Sequence, residues 1–175
     1  IMNHPLSLFK YCPKCGAKEF NINNDESKKC ANCGFIYYFN AAAAVVAVIE
    51  NSKNEVLVSR RAHDPAKGTL DLPGGFASLH ETIAETVIRE ILEETRLEVD
   101  AVDFLFSIPN LYEYSGFVVH TMDMFFRCQI DDFSNMKAQD DVLELFFIPK
   151  QELNPMDFGL KSIKEGVEKL QSLAI

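Results

Sequence analysis

The chain has 175 residues, 47% of them hydrophobic and 25% charged, and carries a formal net charge of -9. That length buries one substantial core plus a small appendage, and the composition is that of a soluble globular protein. No apolar run approaches the ~20 residues of a membrane span, and no block of lysine or arginine stands out. A membrane or nucleic-acid partner is therefore not expected. A phosphorylated small molecule is not excluded, because a bound divalent cation reverses the local sign of charge.

Ile1 to Lys10 carry no basic start, no apolar segment of signal length and no small-residue cleavage site. Secretion is not expected, and a cytoplasmic location is. Residues 1–39 then read as a separate small unit, because four of the five cysteines fall there as Cys12-x2-Cys15-x14-Cys30-x2-Cys33. Gly16 and Gly34 follow the second cysteine of each pair. Glycine accepts the backbone angles that let N–H groups point at thiolate sulfur. Two such turns supply the four ligands of a closed tetrahedral Zn²⁺ site, with no open position for chemistry. The alternatives are two disulfides, which the absence of a secretion signal disfavours, or buried thiols. Cys128 stands alone in an apolar run and reads as a core residue.

Residues 40–175 read as one α/β domain. Ala41 to Glu50 is a buried strand, and "EVLVSRR" (Glu55 to Arg61) alternates like a second. "AKGTLDLPGGF" is a glycine-proline loop leading to a helix over His80 to Arg96. Leu97 to Ser107, Val118 to Ile130 and Val142 to Pro149 are rich in Val, Phe, Leu and Ile and read as strands. A short helical turn follows Pro149, and Phe158 to Leu173 reads as an amphipathic helix.

The helix raises the functional question. At ~100° per residue, Ile83, Ala84, Val87, Ile88, Ile91 and Leu92 cover the buried half. Glu85 and Arg89 lie off that face, spaced to pair. Glu90, Glu93 and Glu94 fall within an arc of roughly 100° along the border of the apolar stripe. Like charges so placed repel, and partial desolvation raises their pKa values unless a cation intervenes. Hard oxygen donors at this density suit Mg²⁺ or Mn²⁺. The alternative is a solvated acidic face.

The same stretch resembles the Nudix hydrolase signature, G-x5-E-x7-R-E-U-x-E-E-x-G-U, with U a bulky aliphatic. Gly75, Glu81, Arg89, Glu90, Ile91, Glu93, Glu94 and Leu97 stand at its spacings, after "LPGG". Arg96 replaces the glycine that closes the helix. The resemblance implies an α/β/α sandwich with a mixed sheet behind a zinc ribbon. It also implies hydrolysis of a nucleoside diphosphate linked to another moiety. By position, Glu90, Glu93 and Glu94 would be metal ligands, with Glu90 also discussed as the base that activates water. The Gly74 carbonyl would be a further ligand, Arg89 would orient a glutamate, and Glu81 would support the outer shell.

A late-loop carboxylate often joins this set, with Asp141 the first choice and Glu144 the second; a solvated loop is the alternative for both. A zinc ribbon ahead of such a domain resembles the NADH pyrophosphatase subgroup, whose S-Q-P-W-P-F-P-x-S motif is partly kept here as "SIPNLYEYS" (Ser107 to Ser115). Tyr112, Tyr114 or Phe117 could stack on a base there, or simply pack within strands and turns. The implied substrates are NAD(H), ADP-ribose or a similar diphosphate, split into two monophosphates. Hydrolysis of nucleoside triphosphates and a non-catalytic nucleotide-binding regulator are the rivals. A homodimer is expected by resemblance.

Overall fold

Apolar strands buried on both faces build the larger of two units. The computed structural model describes residues 4–173; residues 1–3 and 174–175 of the two expected domains lie outside it. It divides into Ile1–Ala41 and Ala42–Ile175.

In the first unit β1 (Phe20–Asn24), β2 (Ser27–Cys30) and β3 (Ile36–Tyr38) form an antiparallel sheet. Its core is Cys12, Phe20 and Cys30, with Ala17, Cys33 and Phe35 packed against them.

The second unit opens with β4 (Ala42–Val48), which pairs in parallel with β8 (Phe117–Gln129); β8 pairs antiparallel with β7 (Ala101–Tyr114). A second sheet has β5 (Glu55–Arg61) between β6 (Leu70–Asp71) and β9 (Val142–Pro149), all antiparallel. Among the described residues its two α-helices are α1 (Ile83–Thr95) and α2 (Lys161–Ser172). Alternate strand residues serve opposite helices, as a pleated strand requires. Val45, Ala47, Ile49, Leu57, Phe126 and Cys128 pack with Val87 and Ile91 of α1. Val46, Val48, Val56, Val58 and Phe125 pack with Ile163, Val167 and Leu170 of α2. The sheets thus lie between two helices, the expected α/β/α sandwich, and Cys128 is a core residue.

Several boundaries move. α1 starts at Ile83 rather than His80, because Thr82 caps it and Glu85 completes a capping box. α2 is shorter than Phe158 to Leu173, with Leu160 at its N-cap. The turn after Pro149 is a 3-10 helix, Lys150–Glu152. The strand expected over Leu97 to Ser107 instead begins at Ala101 and runs on to Tyr114. Pro109 does not stop it, because β7 is an edge strand with no neighbour on one side.

The buried face of α1 is also rolled. Ile88 and Leu92 are 40% and 49% exposed, while Thr86, Glu94 and Thr95 are buried beside Val87 and Ile91. The roll turns the glutamate edge of the helix inward. Fully burying Val87, Ile91 and Leu97 contributes roughly 1.5–3 kcal/mol each, enough to offset the few kcal/mol that one desolvated carboxyl costs.

Candidate functional site

The loop between β6 and α1 lies along β4 like an extra strand. Val45 N–H donates to the Gly75 carbonyl at 2.8 Å, Ala47 N–H to Pro73 at 2.7 Å, and Ala77 N–H to Ala43 at 3.0 Å. Only glycine fits its centre. Gly74 has φ +152°, and a side chain there would drive into the Val45 carbonyl. A Cβ on Gly75 would stand 2.6 Å from the Glu90 carboxyl carbon. The "PGG" run therefore lets backbone approach the acidic edge of α1.

On that edge Glu94 is 8% exposed and accepts the Gly74 N–H at 3.0 Å. Burial pushes its pKa up from the ordinary 4.5 to about 8, helped by the nearby charges of Asp71, Glu90 and Asp141. Burial also raises Glu90, against the opposing pull of Arg89. Arg89 joins most of the remaining acids. It makes a two-point bond to Glu81 (2.7 and 3.0 Å), single bonds to Glu90 (2.8 Å) and Glu93 (2.9 Å), and one to the Phe76 carbonyl (3.1 Å). Arg89 holds Glu81 down at about 2. The expected Glu85–Arg89 pair does not form, because both Glu85 bonds go to the Thr82 cap. Among the described residues, only the cysteine sulfurs are gathered tightly enough to surround an ion directly. The carboxylates share an edge but are turned onto Arg89 and Gly74.

Arg96, the departure from the signature glycine, closes α1 in that glycine's place. It adopts φ 61° and ψ 15°, and its N–H reaches the Leu92 carbonyl at 3.0 Å. Its side chain bonds Gln139 at 2.7 Å, while Lys137 and Gln139 N–H groups take the Thr95 and Glu94 carbonyls. The helix end thereby anchors the loop that carries Asp140 and Asp141.

Glu94, Gly74, Gly75 and Asp141 border a cavity of about 360 Å³, within the range of small-ligand sites. Asp141 stands at its mouth, 3.4 Å from His63. Glu144 does not line it: from β9 its carboxylate accepts from Arg60 of β5 at 2.8 Å. Tyr112 and Tyr114 line it, but Phe117 does not, lying across the hairpin turn from Tyr114. Phe76 takes the third aromatic place, edge-on to Tyr112 at 5.6 Å between centroids. The sequence reading missed Phe76, the buried Arg61–Asp71 ion pair, and Asn110, Thr121 and Asp123, all of which border the cavity. Alternation along β7 carried the signal for Asn110, since it shares a face with Tyr112 and Tyr114.

In the first unit, the Cys12–Cys33 and Cys15–Cys30 sulfurs are 3.8 and 3.7 Å apart, and all four lie within 4.8 Å of one another. No cysteine is in a disulfide. The edge of a tetrahedron with Zn–S bonds of ~2.3 Å is roughly 3.8 Å. Gly16 and Gly34 have φ +74° and +71°. The Ala17 N–H, then the Asn32 amide and the Cys33 thiol, draw the Cys15 thiol down to about 6.

The NUDIX domain model matches residues 40–168. The chain belongs to the NUDIX family. Among curated relatives, it is 34% identical over 128 residues to an ADP-ribose pyrophosphatase of Methanocaldococcus jannaschii, covering 72% of each chain. It is 26% identical over 118 residues to the NAD-capped RNA hydrolase NudC of Haemophilus influenzae, covering 67% of this chain and 45% of that one. The chain thus spans less than half the length of that relative. In fold, it is similar to a NUDIX hydrolase from Nitrosomonas europaea (TM-score 0.70, 24% identity, covering 93% of this chain and 90% of the other). No helix among the described residues of this NUDIX chain is long and apolar enough to cross a membrane.

Proposed function

We propose that this NUDIX chain is a divalent-metal-dependent pyrophosphatase. Its substrate is a nucleoside diphosphate carrying a second moiety, ADP-ribose or NAD(H) in type, and its products are two monophosphates. The observation that carries this reading is one cavity bordered by two chemically different sets of residues. Glu94 and the Gly74–Gly75 backbone supply an acidic set, and Tyr112, Tyr114 and Phe76 an aromatic one.

The acidic set fits a cation. Glu94 and Glu90 are held out of water with raised pKa values, a deficit that a bound Mg²⁺ or Mn²⁺ relieves. Glu90, Glu93, Glu94, the Gly74 carbonyl and Asp141 would hold the ion. When bound, it neutralises phosphate charge and lowers the pKa of coordinated water. Glu90 would also take the proton from the attacking water, as its place in the signature implies. Arg89 fixes that carboxylate, and Glu81 fixes Arg89 through the two-point bond. One P–O bond forms to water oxygen, and the bridging P–O bond breaks. The aromatic wall positions the nucleoside so that the diphosphate spans toward Glu94.

In the first unit, the four cysteines would hold one structural Zn²⁺, since the sulfur spacing already matches a tetrahedral ion. Elemental analysis should find one zinc per chain.

The deciding experiment is a substrate panel of ADP-ribose, NADH, dinucleoside polyphosphates and nucleoside triphosphates with Mg²⁺ or Mn²⁺. Metal-dependent release of AMP from ADP-ribose or NADH is expected. Release of inorganic pyrophosphate from triphosphates alone, or no turnover of any, would overturn the reading.

A further inference from the structure

At the wall of the cavity lies a buried polar group for which neither the acidic set nor the fold accounts fully. Asp123 on β8 is 6% exposed, and Asn110 on β7 is also 6% exposed. Asp123 Oδ1 accepts the Thr121 hydroxyl at 2.6 Å; its Oδ2 accepts the Ser162 hydroxyl at 2.5 Å and the Asn110 amide at 3.2 Å. None of these hydrogen-bonding partners is charged. Burying a carboxyl among neutral donors is costly, and one held so at a cavity wall calls for a role.

The lone-pair inventory gives that role a direction. Oδ1 of Asp123 accepts from the Thr121 hydroxyl and has room for a second donor. Asn110 turns its NH₂ to Asp123, which leaves its own carbonyl oxygen on the opposite side. The Thr121 hydroxyl, spent as a donor, retains acceptor capacity. Arg61, which also lines the cavity, directs its Nε–H to the Pro65 carbonyl and an Nη1 N–H to Asp71, and interacts with Tyr112 as well. The stretch of wall made by Asn110, Thr121 and Asp123 is therefore rich in acceptors and suits a ligand atom that donates. Tyr112 and Tyr114 follow Asn110 on the same face of β7, and Thr121 is the cross-strand partner of Asn110. A flat ring against the tyrosines would bring its edge to these acceptors.

Resting on the proposed pyrophosphatase reading, we propose that Asn110, Thr121 and Asp123 form a specificity subsite for an NH₂ group on the ring of the bound nucleotide. Both the exocyclic amine of adenine and the carboxamide of nicotinamide present this chemistry. An oxo or carboxylate group in the same place would meet the Asp123 carboxylate with no proton to share, and unpaired buried acceptors make such discrimination steep.

Two substrate pairs test it on the full chain. ADP-ribose against its hypoxanthine analogue reads the adenine source, and NADH against its nicotinic-acid analogue reads the nicotinamide source. At least about tenfold preference in kcat/KM for the NH₂ form is expected in one pair. Asp123→Asn, which can offer an N–H to an oxo group, should cut that ratio below about threefold. Its metal dependence should be unchanged. Asn110→Ala, which leaves Asp123 in place, should also reduce the ratio and serves if the first variant does not fold. A ratio near one for the wild type in both pairs overturns the subsite. So does an unchanged ratio in both variants, the result expected if Asp123 merely clamps Ser162 of α2 to the hairpin. If no member of either pair is hydrolysed, the pyrophosphatase reading fails on its own. The subsite is then read by calorimetry with AMP against IMP and with NMN against nicotinic acid mononucleotide, where equal binding within both pairs overturns it.

Discussion

Replacing Glu94 by glutamine separates what this carboxyl does to the fold from what it does for catalysis. The raised pKa means that, without a divalent metal, folded protein keeps the Glu94 proton up to about pH 8, whereas the unfolded chain releases it near 4.5. The stabilisation is thus fully present below 4.5 and is lost as pH rises toward 8. At about 1.4 kcal/mol per pH unit, the gap between 4.5 and about 8 bounds the loss at roughly 5 kcal/mol. Glutamine can still accept the Gly74 N–H and does not titrate, so the variant should escape this loss. Urea unfolding followed by far-UV circular dichroism, in buffer free of Mg²⁺ and Mn²⁺ but with zinc retained, measures both proteins from about pH 5 to pH 9. The variant should gain on the wild type by several kcal/mol across that range, because other titrating groups cancel in the difference. Turnover with Mg²⁺ should fall at least about a hundredfold. A wild-type-minus-variant difference that stays flat with pH would refute the burial argument. Wild-type turnover in the variant would refute the assignment of Glu94 as a ligand.

Gly75→Ala should displace Glu90, whose carboxyl carbon would lie 2.6 Å from the new methyl group; steady-state assays should show kcat down about a hundredfold with little change in melting temperature. Arg96→Gly should relieve a left-handed residue worth roughly 1 kcal/mol while cutting the Gln139 bond. Its melting temperature should therefore hardly move, and kcat/KM should drop several-fold as the Asp141 loop loosens. Thr82→Ala should cost about 1 kcal/mol in urea unfolding through loss of the capping box. Cys15→Ala should eliminate bound zinc by elemental analysis while leaving the α1 and α2 helical signal in place.

Much of this was legible because one-dimensional spacing encodes it. Two C-x-x-C-G turns fix a four-sulfur cluster almost locally, and the signature spacing fixes one edge of one helix. Glu81, Arg89, Glu90 and Glu94 accordingly lie along the glycine loop that precedes the helix. What spacing could not give was rotation and long-range pairing. Ile88 and Leu92 look as apolar as Val87, yet α1 rolls them outward, because the glycine loop ahead of the helix folds back along its acidic edge instead. Glu85 stands four residues from Arg89, yet the Thr82 cap claims it. Glu144 and Asp141 sit three residues apart, and only the cross-strand position of Arg60 decides that Glu144 turns away. Asp123 and Asn110 meet across β7 and β8, a contact that neither strand announces alone.

The hairpin has a consequence for how substrate preference can change in this lineage. Asn110, Tyr112 and Tyr114 face the cavity because they occupy every second place on one strand, and Thr121 and Asp123 do the same on its partner. Exchanging any one of these side chains edits the wall and leaves the others in place. Inserting or deleting a single residue upstream in either strand would turn that strand's whole set to the other side of the sheet. Divergence toward new nucleotides along β7 and β8 should therefore proceed by substitution at alternate positions, with strand length preserved.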